Sequence, residues 1–427
     1  MRNPRTTLRR VAVALACMTV AMTGLTACSD DGDSSEGGEV TLSYAVWDQA
    51  QVPAMEQIIT EFNKEHPDIH VEIQVTPWDD YWTKLQTAAT GGSAPDVFWT
   101  TLAYFDYYAD GGALLPLDDQ IEESGLDMSN YNPAMTEAYT FDDTVYGIPK
   151  DINAFGLFYN KTLFDEAGMD YPDDSWTWDD VDEAAHELTD PANGVYGIAA
   201  PEADETTWYL TVPQNGGEVI NEDGTESGYD TPETIEGIQF WVDLVNDEVS
   251  PNLQQLTDTD SLAMFTSGKV AMYYGGSWDP VAIADVPAAK AFTGMAPLPE
   301  GDTSDFYSNG LANSIYAETE HPEEAWEFVE FLGSKEANQI QATTGTVIPA
   351  YNGQAGEYVK SMPWLDAQAL VDQLPNALPF PVSLNTAAWR DFATEEFAKA
   401  WTGEVSVEEA AQTVADHMDE ALAEEQE

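Results

Sequence analysis

Between residues 69 and 75 apolar and polar side chains alternate, with Ile69, Val71, Ile73 and Val75 set against His70, Glu72 and Gln74. A period of two predicts a strand with one face toward a core. Val40 to Val46 reads as an earlier strand, and Met55, Ile58, Ile59 and Phe62 follow at i, i+3, i+4 and i+7, one face of a helix. A second helix around Tyr81 to Thr90 leads into the short apolar run Asp96-Val97-Phe98-Trp99. The order β-α-β-α-β predicts a parallel sheet, and such sheets place ligands beyond the carboxyl ends of their strands. Those ends fall after Val46, Val75 and Phe98. They carry Trp47-Asp48, Trp78-Asp79-Asp80, and Trp99 followed by Tyr104 and Tyr107.

A second half begins where Tyr146 to Lys161 crosses as an extended segment, in which Pro149 excludes a helix. Helical patterns over Thr177 to Leu188, Pro232 to Val249 and Ser261 to Ser267 then alternate with strand-like Val195 to Ile198 and Lys269 to Tyr274. Strand-like Leu311 to Tyr316 precedes a helix from His321 to Leu332. Near the end, Ser406-Val407-Glu408-Glu409 has the form of a capping box, with Val407, Ala411, Val414 and Met418 on one apolar face behind it.

Charge narrows the function. Seventy-eight acidic residues face fourteen basic ones, and four of the basic ones, Arg2, Arg5, Arg9 and Arg10, lie in the first ten residues. Nucleic acid is excluded as a partner because a polyanion needs a basic surface, and long-range repulsion disfavours other anionic ligands. Disorder is a poor reading of a chain that is 43% apolar and carries thirteen Trp.

The N-terminus reads as a secretory signal over residues 1–27: arginines, the uncharged run from Val11 to Met22, then Leu25-Thr26-Ala27-Cys28. That last stretch resembles the bacterial lipobox, which implies lipidation at Cys28 and anchoring in the cell membrane on its extracellular side. Residues 28–39, with no apolar side chain after Cys28 itself, read as a flexible acidic linker. Cys17 falls within the signal, so no internal disulfide is open to the mature chain.

The five histidines are scattered without metal-ligand spacing, and no nucleophile elbow, Walker loop or dinucleotide fingerprint occurs. Asn221-Glu222-Asp223-Gly224 and Asp258-Thr259-Asp260 do not complete an EF-hand. No metal, cofactor or catalytic group is therefore assigned. Paired carboxylates for glycoside cleavage remain open, since some pair among so many acids will be suitably spaced. The positive signal is aromatic. Trp and Tyr cover the C–H face of a sugar ring while carboxylates and amides take its hydroxyls. Trp241, Trp326 and Trp401 sit inside amphipathic helices and read as packing. Trp47, Trp78, Trp99, Trp208, Trp278 and Trp389 lie at strand ends, beside glycines or at loop-to-helix entries, and read as binding candidates.

Five segments in order carry a resemblance: FNKEHPDIHVEIQV, GGSAPDVFW, YGIPKDINAFGLFYNK, FTSGKVAMYYGGSW and the stretch from AAWRDF to the terminal helix. The chain resembles the extracellular solute-binding proteins of carbohydrate ABC importers, the group that includes maltose-binding protein. The resemblance implies a two-lobed α/β fold of the periplasmic-binding-protein type II, with the ligand cleft between lobes joined by a hinge. The expected lobes are residues 40–150 plus about 306–350, and 151–305 plus about 351–427. Trp99, Trp278 and Trp389 align with stacking platforms, and Thr207-Trp208-Tyr209 resembles the cleft segment that supplies a further contact; Tyr104 is a candidate by its place after the third strand, and Asp48, Asp80 and Asp279, each next to or near a cleft Trp, are the expected hydroxyl acceptors. Asn153 falls where maltose-binding protein has a glutamate, a departure that argues against maltose itself. Asp96 reads as a structural cap. The implied activity is capture of a neutral mono- or oligosaccharide by a monomer, without catalysis, for delivery to transmembrane permease subunits with a separate ATPase. A lipid-anchored glycoside hydrolase or lyase and a sugar sensor without transport are the other readings the sequence leaves open.

Overall fold

The computed structural model describes residues 39–426. The signal segment, Cys28 and linker residues up to 38 lie outside the described residues. The alternating segment forms the strand Ile69–Val75, at the edge of a five-stranded sheet. Its neighbour is Val40–Val46, paired in parallel from Val40 with Ile69 to Val46 with Val75. Val97–Thr101 adds a third parallel strand on the other side. Leu311–Ile315 pairs antiparallel with that strand, and Ile148–Pro149 pairs antiparallel with Leu311–Ile315. The helix Val52–Glu65 buries Met55, Ile58, Ile59 and Phe62 in the core beneath this sheet. Apolar burial of that kind supplies most of the stability of an amphipathic helix.

A second sheet orders Thr293–Ala296, Phe155–Asn160, Val270–Gly276 and Tyr196–Ala199. Phe155–Asn160 runs antiparallel to both of its neighbours, and Tyr196–Ala199 lies parallel to Val270–Gly276. Between the sheets the chain passes through Asp151–Ile152, which pairs antiparallel with Ile348–Pro349, and through Phe306–Ser308, which pairs parallel with Ala377–Pro379. Two sheets, each covered by helices and joined by short crossing strands, make a two-lobed α/β fold.

Local chemistry sets several element ends. Ser406 and Glu409 form the capping box ahead of the helix Val407–Glu425. Asp96 ties three segments: Oδ2 accepts from the Ser43 N–H at 2.8 Å and the Ser43 hydroxyl at 2.7 Å, and Oδ1 accepts from the Thr319 hydroxyl at 2.6 Å. No helix among the described residues is long and apolar enough to cross a membrane.

Candidate functional site

Three chain segments that leave the carboxyl ends of strands meet in one cavity of about 520 Å³. Trp47 and Asp48 follow Val40–Val46, Trp78 follows Ile69–Val75, and Trp278 and Asp279 follow Val270–Gly276. The crossing segments add Asp151, Asn153 and Asn309, so the cavity draws on both sheets and on what joins them. A second cavity of about 770 Å³ shares Trp78, Ala203, Asp204 and Arg390 with the first and is walled by Trp82, Tyr104, Tyr107 and Tyr108.

The GGSW segment shows why these residue types recur together. A Cβ on Gly275 would lie 2.4 Å from Asp279 Oδ2, and one on Gly276 would lie 2.3 Å from the Trp278 ring. Two glycines are therefore needed for both side chains to fold back over the strand end. Asp279 Oδ2 accepts from the Gly276 N–H at 3.1 Å and from the Tyr273 hydroxyl at 3.2 Å. Asp279 is only 7% exposed, and burial pushes its carboxyl up to about 7.

Opposite, Trp47 sits edge-on to Trp78, Tyr81 and Trp99, with ring centroids 5.0–5.2 Å away. Such T-shaped contacts align positive ring edges with negative faces and fix the ring's tilt. Trp82 stacks on Tyr104 at 3.9 Å. Asp48 turns the chain here: its two carboxylate oxygens accept from the Ala50 N–H and the Gln51 amide. Asn153 is 7% exposed and lines the cavity, and its side-chain amide has no protein partner among the described residues.

Of the residues singled out from the sequence, Trp47, Asp48, Trp78, Asn153, Trp278 and Asp279 come together in the first cavity and Tyr104 in the second. The other four do not. Trp99 is fully buried inside Val97–Thr101, which runs two residues beyond it, and its indole N–H donates to the Tyr44 hydroxyl. Trp208 packs against Phe397 and Trp401 in the core. Trp389 is fully buried in the first turn of the helix Thr386–Trp401, its N–H donating to the Ser383 hydroxyl at 2.9 Å. These three rings are withdrawn into the core, which corrects the reading of Trp99 and Trp389 as platforms and of Trp208 as a further contact. Asp80 is exposed, 3.5 Å from Lys84, and lines neither cavity.

The acid-base network beside the cavities was not anticipated. Arg390, 9% exposed, donates through Nη2 to Asp204 Oδ1 at 2.8 Å and to Glu205 Oε1 at 2.9 Å, with Nε on Asp204 Oδ2. Burial opposes the guanidinium's charge, but the two carboxylates more than restore it. The available signal was that Arg390 is the sole arginine after residue 10. Glu202, nearby, is pushed up to about 9 by burial and by the Asp204 charge, and burial pushes Asp106 up to about 6.

Raised carboxyls set a pH dependence. Between pH 4 and the raised values the folded chain holds protons that the unfolded chain has released, so stability falls as pH rises. Asp96, held below its usual range with its hydrogen bonds outweighing burial, acts oppositely and only at more acid pH. The melting temperature is expected to drop from about pH 5 to about pH 9 at fixed ionic strength, a thermal scan being the check. A flat or rising profile would contradict the assignment.

The sequence profile of the bacterial extracellular solute-binding proteins matches residues 47–339. An arabinooligosaccharide-binding protein of Halalkalibacterium halodurans is 28% identical over 321 residues, 72% of this chain and 70% of its own. Among solved structures, an ABC substrate-binding protein of Listeria monocytogenes in complex with cycloalternan is 29% identical, with a TM-score of 0.85 over 90% of this chain and 99% of that one. A solute-binding protein of Thermotoga lettingae bound to α-D-tagatose is 25% identical, with a TM-score of 0.82 over 90% of this chain and all of that one. These relatives are binding receptors and not enzymes, and with a profile match over most of its length this chain belongs to the bacterial extracellular solute-binding protein family.

Proposed function

We propose that this chain is the sugar receptor of an ABC importer, capturing a mono- or oligosaccharide that carries no anionic group. The observation that carries the reading is the meeting of Trp47, Trp78 and Trp278 with Asp48, Asn153 and Asp279 in one cavity between the two sheets. Flat apolar faces suit pyranose C–H surfaces, and the carboxylates and amide suit its hydroxyl rim. The sugars named for the relatives support it.

The lobe limits we propose are 40–150 plus about 306–350, and 151–305 plus about 351–427. The crossing strands at 151–152, 306–308 and 348–349 support these limits. Ligand that touches both lobes drives closure only through its higher affinity for the closed form, and a swing from mostly open to mostly closed needs about 5.5 kcal/mol. A transmembrane permease with a separate ATPase would then read the closed form. A monomer anchored through lipid on Cys28, facing outward from the cell membrane, completes the proposal; the arginine-rich, then apolar, then Leu-Thr-Ala-Cys order supports it.

The test is a thermal-shift screen against mono- and oligosaccharides with chromatography of the mixtures. Ligand at about 100-fold its dissociation constant adds about 2.7 kcal/mol. One sugar class is expected to raise the melting temperature without products. Trp278→Ala should weaken that binding by about 2 kcal/mol, roughly thirtyfold, as loss of a central aromatic anchor does. Cleaved sugar in the mixtures, or no shift with any saccharide, would overturn the reading.

A further inference from the structure

We propose that the sugar selected by this cleft carries a protonated amine, seated at Asp279 beside the Trp278 ring, with Asp48 and Asp260 of the same cavity adding negative charge from farther off. The inference rests on the carbohydrate reading above and replaces the neutral sugar expected from the sequence with a cationic one.

Charge balance comes first. Six acidic side chains line the first cavity, those of Asp48, Asp151, Asp204, Glu205, Asp260 and Asp279, and Asp391 extends the set into the second, where Glu202 is held neutral by burial. Among the described residues, Arg390 is the one cation lining either cavity. Its guanidinium is already committed to Asp204 and Glu205. Lys150, behind Asp151, gives its ammonium to Asp151 Oδ2 and Gln51 Oε1. The remaining carboxylates face the cavity with no protein cation to balance them.

Hydrogen-bond capacity points the same way. Asp279 is 93% withdrawn from solvent, yet only Oδ2 is engaged, and Oδ1 has no partner among the described residues. Ionised carboxylates only accept, so a cavity this rich in them calls for a donor-rich ligand. A sugar hydroxyl donates one hydrogen and brings no charge, whereas an ammonium donates three and neutralises. Beside Asp279 the Trp278 ring lines the same cavity, and a cation over an indole face gains further electrostatic attraction.

A bare metal ion is a poor occupant. Among the described residues, the group of three or more side chains whose ligand atoms converge within 4.8 Å is Asp182, His186 and Asp247, all exposed. The cleft carboxylates are spread apart instead, as suits a ligand with several contact points.

Protonation of Asp279 gives the inference a pH signature. Burial raises the Asp279 carboxyl, the Gly276 N–H and Tyr273 hydroxyl partly offset this, and the Asp48 and Asp260 charges add to it. The Asp279 charge in turn acts on the buried Tyr358 hydroxyl, which donates to the Ser277 carbonyl at 2.6 Å. An ammonium beside Asp279 favours its ionised form, so amine affinity should rise from about pH 5 to about pH 7 while neutral-sugar affinity does not.

The experiment is calorimetric titration of the full chain with three matched pairs: glucose and glucosamine, galactose and galactosamine, cellobiose and the fully deacetylated chitosan disaccharide. In at least one pair the amine is expected to bind about tenfold more tightly at about pH 7 and within about threefold at about pH 5. Asp279→Asn should bring the pH 7 ratio within about threefold as well. Should that variant fail to fold, Asp48→Asn and Asp260→Asn, placed where the side chains are more accessible, are each expected to cut the ratio by at least about half. Equal or tighter binding of the hydroxyl partner at pH 7 overturns the inference and leaves the carbohydrate reading standing. Binding of neither member of any pair also overturns it, and the wider saccharide screen then decides whether the carbohydrate reading falls with it.

Discussion

Replacing Arg390 by methionine is expected to cost about 3–5 kcal/mol of folding stability at neutral pH, the usual penalty for breaking one side of a buried ion pair. Asp204 and Arg390 side chains are 10% and 11% exposed, and the guanidinium bridges Asp204 to Glu205 while lying 5.7 Å from the Phe380 ring centre. Methionine keeps much of the stem packing but leaves two inward-facing carboxylates uncompensated, with Glu202 and Asp391 lining the same cavity. Glu205, raised by burial against the pull of Arg390, would then hold its proton in the folded state to still higher pH. A group raised in this way contributes its stability below the unfolded value and loses it as pH rises. The deficit should therefore shrink at about pH 5 and widen above neutrality. Urea unfolding of both chains at the two pH values reads it directly. A loss below about 1 kcal/mol at neutral pH, or one independent of pH, would show that the pair is only marginally coupled to folding.

Much of the architecture was legible because it is written in short-range patterns. Ile69 to Val75 announces a strand and its inward face, and Met55, Ile58, Ile59 and Phe62 announce the helix that covers the sheet. The Gly-Gly-Ser-Trp-Asp stretch was legible for a different reason: its glycines, aromatic and acid are sequence neighbours that fold onto one another. Ring direction was not legible. Trp99 ends a visible apolar run, but the strand continues through Thr100 and Thr101 and all five of its residues are buried. A tryptophan inside a strand covered on both faces packs whatever side it takes. Trp389 shows the same limit in a helix, where a step of one residue separates a core ring from Arg390 at the cavity wall.

Long-range pairing was the other blind spot. Asp204 and Arg390 are 186 residues apart, and no periodicity or motif joins them. Asp80 illustrates the converse: it follows a cavity tryptophan in sequence, yet on the helix Trp78–Thr90 it points away to Lys84, one turn on. Proximity in sequence to a site residue is a weak guide on a helix, where successive side chains fan out around the axis.

Lys150→Met is expected to be as damaging as loss of Arg390, about 3–5 kcal/mol, and for a more tightly enclosed reason. The Lys150 and Asp151 side chains are 1% and 2% exposed, with Nζ 2.6 Å from Asp151 Oδ2 and 2.9 Å from Gln51 Oε1. Nζ also stands 4.4 Å from the centre of the Trp99 ring, whose edge contact positions Trp47 in the cavity. Asp151 in turn accepts the Leu311 N–H at 2.8 Å, so one ion pair joins the crossing strand Asp151–Ile152 to Leu311–Ile315 of the larger sheet. Removing the ammonium leaves a carboxylate without its counter-charge at a side chain almost wholly withdrawn from solvent. Replacing both charges, Lys150→Met with Asp151→Asn, removes that stranded charge while asparagine can still accept from Leu311, and should recover at least about 2 kcal/mol of the loss. Chemical denaturation of the two variants separates charge from packing. Equal losses in the single and double variants would place the cost in the packing around Trp99, and the ion pair would then hold the crossing in place without stabilising it.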